Sequence, residues 1–262
     1  MSQPASNDFR QPVMIDQTKN YGAIPSSQAS AQPIGISSIQ SAADAGIKLD
    51  PATMAFAMQL FAGAAVSSQS SLILPEGTYV GMVQNGQPHG KGALTYNSSN
   101  VQERKKYEGD FFNGEVHGKG IMTWLNGQRY EGEWEHNSMQ GMGKLISSDG
   151  VVYEGQFVNG NVEGRGTRVS PSGQRYEGQF KDGQFNGHGK LTFPNGDVYS
   201  GEFVDDQAHG QGTLSHSDGS SRTGIFQKGT FMNGTLIDTY GDRYTYVDGK
   251  RENPPCGGCI IL

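Results

Sequence analysis

The residues best suited to chemistry are two cysteines near the end of the chain, Cys256 and Cys259. Residues 259–262 read Cys-Ile-Ile-Leu, the pattern of a prenylation site, and a final Leu favours a geranylgeranyl group. One lipid binds membranes weakly, and Lys250 and Arg251 are too few for a basic patch, so a second lipid is expected. We therefore predict prenylation of Cys259 and, as a hypothesis, S-palmitoylation of Cys256.

Histidine is the next candidate, because its ring can bind metals or transfer protons. His89, His117 and His209 each precede a Gly-x-Gly sequence and occupy equivalent positions of a repeated segment. Gln140 and Glu163 occupy the same position in other copies, so the histidines cannot form a continuous row of metal ligands. We predict that each ring makes a hydrogen bond to a nearby loop, and we predict no metal, no cofactor and no catalytic residue.

Glutamate also recurs at one position of the repeated segment. The four copies are Glu108, Glu131, Glu154 and Glu177. We interpret this row as a solvated face with cross-strand partners such as Arg129 and Arg175. Because an acidic row repels anionic lipid headgroups, the repeats are expected to be poor direct lipid binders.

These residues recur because the chain contains a tandem repeat with a period of 23 residues. The successive copies begin at Tyr107, Tyr130, Tyr153, Tyr176, Tyr199 and, in a degenerate form, Arg222. An earlier copy begins at Tyr79, and the spacing of 28 residues to Tyr107 predicts a five-residue insertion within 97–106. Fixed self-similarity at this period indicates a repeat architecture.

Each copy has the pattern of a β-hairpin. Tyr130, Gly132 and Trp134 alternate with acidic residues, which predicts a strand with one apolar and one polar face. Asn-Gly or Asp-Gly pairs follow, and they supply the positive φ angles of a tight turn. We predict an all-β repeat fold, a single elongated, twisted antiparallel sheet. Its 39 glycines leave room for rings to lie over bare backbone.

The apolar face of this sheet carries large rings. Such rings are suitable anchors for a partner helix or strand, and the alternative is that they pack only on one another. The candidate partner-binding residues are Tyr107, Phe111, Trp124, Tyr130, Trp134, Tyr153, Phe157, Tyr176, Phe180, Phe193, Tyr199 and Phe203.

The repeated pattern is Tyr-Glu-Gly-x-Phe/Trp-x-x-Gly-x-x-His-Gly-x-Gly, and it resembles the MORN repeat (membrane occupation and recognition nexus). Seven copies in register cover more than half of the chain. The resemblance implies a scaffold that binds proteins or associates with membranes. It also implies no enzyme, because no room remains for a kinase or methyltransferase domain.

The segments outside the repeats differ in composition. Residues 1–48 are polar and predicted to be disordered. Within 49–70, Asp50 and Pro51 suit a helix start, and the apolar stretch to Val66 predicts a short helix. We expect this helix to cap the end of the repeat array; the alternative is that it docks on a partner or on a membrane surface. The array is assigned to 71–246 and a flexible tail to 247–262.

Composition argues against further classes of function. The net charge of −6 argues against nucleic-acid binding, and no apolar run is long enough to span a membrane. We predict a non-enzymatic adaptor that recruits a protein to the cytoplasmic face of a plasma membrane or endomembrane. The alternatives are a structural part of a cytoskeletal, ciliary or flagellar assembly, and a regulatory subunit of a lipid kinase or other enzyme.

Overall fold

The computed structural model describes residues 70–97 and 102–252. These residues form seventeen strands of one open antiparallel sheet, and they contain no helix. The prediction of an all-β fold of tandem hairpins is therefore confirmed. The predicted disordered region, the predicted helix and both cysteines lie outside the described residues. No described segment is a helix long and apolar enough to cross a membrane.

The described chain divides into two compact units. The N-terminal unit comprises residues 70–148 and 157–160, and the C-terminal unit comprises residues 149–156 and 161–252. The strands of the N-terminal unit are β1 (Ser70–Leu74), β2 (Gly77–Gln84), β3 (Gln87–Tyr96), β4 (Arg104–Phe112), β5 (Glu115–Trp124), β6 (Arg129–Glu135) and β7 (Ser138–Ile146). Strand β8 (Val152–Val158) contributes residues to both units.

The C-terminal unit continues the same series of hairpins. Its remaining strands are β9 (Asn161–Val169), β10 (Arg175–Lys181), β11 (Gln184–Thr192), β12 (Val198–Val204), β13 (Gln207–Ser215), β14 (Ser221–Gln227), β15 (Thr230–Ile237), β16 (Arg243–Val247) and β17 (Lys250–Arg251). The seventh copy is the β14–β15 hairpin, which keeps the Gly224–Gly234 pairing although Arg222 replaces the tyrosine.

The hairpin tips explain the Asn-Gly pairs. Asn113 and Gly114 have φ angles of 49° and 86°, the two positive values that a two-residue turn requires. At the next tip the same conformation is held by His136 and Asn137, without a glycine. There the Asn137 carboxamide accepts a hydrogen bond from the Val116 amide at 2.8 Å, which ties this tip to the preceding hairpin.

The first Gly of each Gly-x-Gly sequence lies at a bulge. In the β4–β5 pair the register shifts between Gly109 and Asp110, and Gly118 opposite has a φ of 59°. The Asp110 carboxylate accepts a hydrogen bond from the Lys119 amide at 3.0 Å, so the side chain stabilises the bulge. The polar residues three places after the tyrosine therefore have a structural role that their alternation alone does not reveal, as at Asp110, Gln156, Gln179 and Glu202.

The predicted insertion lies between the first two full hairpins. Residues 97–103 connect β3 to β4, whereas residues 125–128 connect β5 to β6. In addition, β4 begins three residues before Tyr107, and β6 begins one residue before Tyr130. The longer connection and the longer strand together account for the five extra residues.

Candidate functional site

The tyrosine that begins each repeat lies over a pair of facing glycines. Gly109 pairs with Gly120 across β4 and β5, and the Tyr107 ring covers both. Every such tyrosine also donates a hydrogen bond to a carbonyl three residues later, as Tyr130 does to Glu133 at 3.0 Å. Burial raises the pKa of Tyr199 to about 12, so this hydroxyl remains a donor at neutral pH. Each tyrosine is thus held by the packing of its ring on the glycines and by the hydrogen bond of its hydroxyl.

Neighbouring rings meet edge to face. The Tyr107 and Phe111 centroids lie 5.1 Å apart, and the Tyr107 and Trp134 centroids lie 5.6 Å apart. Tyr130 continues the row with Trp134 at 5.1 Å and Phe157 at 5.0 Å. Each edge-to-face pair adds about 0.5–1.5 kcal/mol beyond the area that it buries. The row therefore forms the core of the hairpins.

Burial bears on the two interpretations of the aromatic face. Of the twelve candidate partner-binding rings, the buried ones are Tyr107, Phe111, Trp124, Tyr130, Trp134, Tyr153, Phe157, Tyr176, Phe180, Tyr199 and Phe203. Only Phe193 is half-buried. A partner could reach the other eleven only by displacing their neighbours. In this structure the rings pack on one another and leave little surface for a partner, so their role as anchors stays a prediction.

The recurring glutamates lie on the opposite face, and their partners differ from the prediction. Arg129 contacts Glu131 at 2.7 Å, two residues along the same strand rather than across strands. Arg175 and Glu177 form the same arrangement at 2.8 Å. The residue facing Glu131 across β6 and β7 is Lys144. This face is therefore of mixed charge rather than a purely acidic row.

The histidine position receives hydrogen bonds from the next hairpin tip. The Asn113 amide lies 3.5 Å from the His89 ring nitrogen, a long hydrogen bond. The equivalent Gln140 accepts from the Asn159 amide at 2.9 Å, and Glu163 accepts from the Asp182 amide at 2.9 Å. The structural prediction is confirmed at His89. At His117 the prediction is wrong, because the Nδ1 atom of this ring has no hydrogen-bond partner among the described residues. Within 70–97 and 102–252, no three His, Cys, Asp or Glu residues are placed to hold a metal ion.

The mixed-charge face of the N-terminal unit contains a groove of about 410 Å³. We call it the charged-face groove; it is lined by Lys91, Glu108, Gly109, Lys119, Gly120, Ile121, Glu131, Gly132, Glu133 and Met142. Ile121 faces Glu108 on one side and Glu131 on the other. Met142 is 53% exposed, although the equivalent positions carry Lys91, Lys119 and other polar residues.

Sequence reasoning missed this groove, although its signal was present. Met142 is the apolar exception in a polar column of the repeat, and Ile121 is a second one. A single exposed apolar side chain is common, and the informative observation is that these two line the same groove. Comparing the copies column by column would have identified both residues.

A second missed feature lies in the core of the C-terminal unit. Arg168 occupies a column that otherwise carries Leu or Met, and only 6% of its surface is exposed. Its guanidinium lies 5.4 Å from the centre of the Phe185 ring, which in turn stacks on Tyr176 at 3.8 Å. Burial lowers the pKa of Arg168, and the charge of Asp206 opposes that shift. At this point of the core, a charged side chain therefore packs against an aromatic pair where the other copies have Leu or Met.

Comparisons with known proteins give two results of very different strength. The TCP domain of Drosophila melanogaster SAS-4, solved with a proline-rich motif of Ana2, is 12% identical, with a TM-score of 0.38, and covers 76% of this chain and 97% of its own. The TCP10 domain of Danio rerio CPAP is 13% identical, with a TM-score of 0.36, and covers 71% and 94%. At these TM-scores neither similarity assigns a function or a partner.

The family comparison is decisive. No curated protein sequence matches this chain. The model of the MORN repeat matches six consecutive segments, 79–101, 107–129, 130–152, 153–175, 176–198 and 199–221. These segments coincide with the first six copies of the 23-residue period and cover half of the chain. This is a repeat protein of a kind associated with membranes and protein binding, and the chain belongs to the MORN-repeat family.

Proposed function

We propose that this chain is a non-enzymatic adaptor. Its MORN sheet binds a segment of a partner protein, and its lipidated C-terminus holds that partner at the cytoplasmic face of a membrane. The observation that carries the proposal is the charged-face groove, because it is an accessible surface with apolar positions, whereas the aromatic face is occupied by its own rings.

The groove suits a peptide with an apolar residue flanked by charges. Ile121 and the half-exposed Met142 offer apolar contact, and methionine adapts to irregular partners. Lys119 faces Glu133 across β5 and β6, so charges of both signs border the apolar positions. Charges at the rim fix orientation and register, and a small apolar centre supplies most of the affinity.

The membrane part of the proposal depends on the C-terminal cysteines. It requires that Leu262 is the carboxyl end of the translated chain, because the prenylation pattern is read from that end. A prenyl group on Cys259 gives reversible binding, and a palmitoyl group on Cys256 would make the attachment stable. The sheet then needs no affinity of its own for lipid.

Met142→Glu is expected to weaken partner capture at least roughly tenfold, a cost of about 1.4 kcal/mol. The new carboxylate would lie beside Glu131 and Glu133 and would remove the apolar contact. The measurement is quantitative proximity labelling by the full-length chain in cells, comparing the proteins enriched by wild type and variant. Gln211→Glu is the matched control, since Gln211 is the exposed residue at the same repeat position outside the groove. Equal labelling by all three chains would contradict the groove assignment.

Cys259→Ser is expected to move the protein from the membrane fraction to the soluble fraction. Cys256→Ser should shift only part of it, because the prenyl group would remain. Cell fractionation combined with mass measurement of the C-terminal peptide tests both. A wild-type protein that is entirely soluble would refute the lipid anchor. A Cys259→Ser protein that stays in a detergent-resistant pellet would instead support a cytoskeletal role.

A further inference from the structure

The first hairpin differs from the others on the charged face. Val80 occupies the column of the recurring glutamates, and Met82 occupies the column of Asp110 and Glu133. Val80 faces Ala93 across β2 and β3. The adjacent strand β1 adds Ile73 on the same face, since Ile73 pairs with Thr78. These four residues, Ile73, Val80, Met82 and Ala93, form what we call the N-terminal apolar patch.

The patch is only partly covered by the described residues. Ile73 is 66% exposed and Met82 is 38% exposed. Strand β1 pairs with β2, and its sequence Ser-Ser-Leu-Ile-Leu carries no charge that would protect a sheet edge. By contrast, the last strands carry Arg243, Lys250 and Arg251. The apolar end of the sheet is therefore the N-terminal one.

The chain immediately before β1 is the most apolar segment of the protein. Residues 51–69 contain no charged side chain, and the stretch from Ala52 to Val66 includes Met54, Phe56, Met58, Leu60 and Phe61. Val66 is four residues from Ser70, so it lies within about 14 Å of the start of β1 even when the connection is fully extended. A short tether of this kind gives an effective concentration on the order of millimolar.

We propose that the segment 52–66 docks on the N-terminal apolar patch of its own chain. The patch begins in β1, the strand that follows the segment, and in the first hairpin both columns that carry acidic residues in other copies are apolar, at Val80 and Met82. A segment this rich in large apolar side chains needs cover from water, and a repeat array needs protection at its ends. Docking meets both requirements with the same contact.

The test uses the two exposed methionines of the charged face. Met82 lies in the patch, whereas Met142 lies in the charged-face groove and serves as an internal control. In the full-length protein, hydrogen peroxide is expected to oxidise Met82 roughly fivefold more slowly than Met142, because oxidation follows exposure. Peptide mass spectrometry at low conversion measures both rates in one sample.

The double substitution Phe56→Asp and Leu60→Asp should raise the Met82 rate severalfold, towards that of Met142, and leave Met142 unchanged. Gln59→Asp places one charge in the same segment at a position that is already polar, and it should leave Met82 protected. Circular dichroism confirms that the sheet is retained in each variant. If Met82 is oxidised at the same rate in wild type and double variant, the proposal fails.

Other occupants of the patch give different outcomes. Protection by a second copy of the chain would be lost on dilution, whereas intrachain docking does not depend on protein concentration. Protection that appears only when vesicles are added would assign the segment to a membrane surface. Either result overturns the proposal.

Discussion

Replacing Gly166 with Ala is expected to lower the free energy of unfolding by about 2–3 kcal/mol, the upper part of the range for an overpacked core. A Cβ at this position would lie 2.6 Å from the Cε2 atom of Tyr153. The ring cannot retreat, because its edge meets Phe180 at 5.0 Å and its hydroxyl donates to the Gln156 carbonyl at 3.0 Å. Urea denaturation followed by circular dichroism measures the loss.

Two further variants separate this clash from a general effect of losing glycine. Gly173 lies in a turn with a φ of 91° and no atom within 4 Å of an added Cβ. Gly173→Ala should therefore cost only about 1 kcal/mol of backbone strain. In a Tyr153→Ala background, Gly166→Ala should cost almost nothing, since the ring that it strikes is gone. An equal loss with and without the ring would show that the glycine is needed for another reason.

The repeat register could be predicted from sequence because the same residue pattern recurs in successive copies. The alternation of Tyr130, Gly132 and Trp134 recurs every 23 residues, and only a strand with one apolar face satisfies it. The turn residues confirm many of the reversals independently, as Asn113 and Gly114 do, whereas His136 and Asn137 make the same turn without a glycine. Local propensity and tertiary pairing agree in most copies, so the hairpins and the ring-over-glycine core followed from the sequence.

The pairing of charges could not be predicted in the same way. Several hairpins contain a bulge, as between Gly109 and Asp110, and the Asp110 side chain there accepts from a backbone amide as well as pairing with Lys91 across β3 and β4. Arg129 reaches along its strand to Glu131 because both extend from the same face two residues apart. Which partner a charged side chain contacts depends on side-chain conformation and on one-residue register shifts, and alternation does not encode either.

Because the rings are buried, we propose the partner-binding surface on the opposite face of the sheet. Aromatic residues are frequent anchors in interfaces, and the sequence gives no measure of whether a ring contacts its neighbour or a partner. Here the distance from each tyrosine to the next ring is close to 5 Å, and the side chains are covered. The distinctive residues of this chain are thus the exceptions on the opposite face, Met142 and Met82, rather than the repeated ones.

Trp134→Ala is expected to be the most damaging single truncation of the aromatic row, at about 3–5 kcal/mol. Trp134 is 3% exposed, its indole donates to the Gly120 carbonyl at 3.3 Å, and its ring bridges Tyr107 and Tyr130. Removing it opens a cavity that the fixed tyrosines cannot fill. Urea denaturation measures the loss, and hydrogen exchange should place it in β4–β7.

Trp134→Phe distinguishes a core residue from a partner anchor. The equivalent positions carry Phe157, Phe180 and Phe203, so phenylalanine fits this site and should cost only about 1 kcal/mol. If Trp134 acts only in the core, the Phe variant should capture partners as well as wild type does, whereas Met142→Glu should not. If the Phe variant stayed folded and yet lost its partner, the ring itself would have to make the contact. The binding surface would then lie on the aromatic face, and binding would require the row to open.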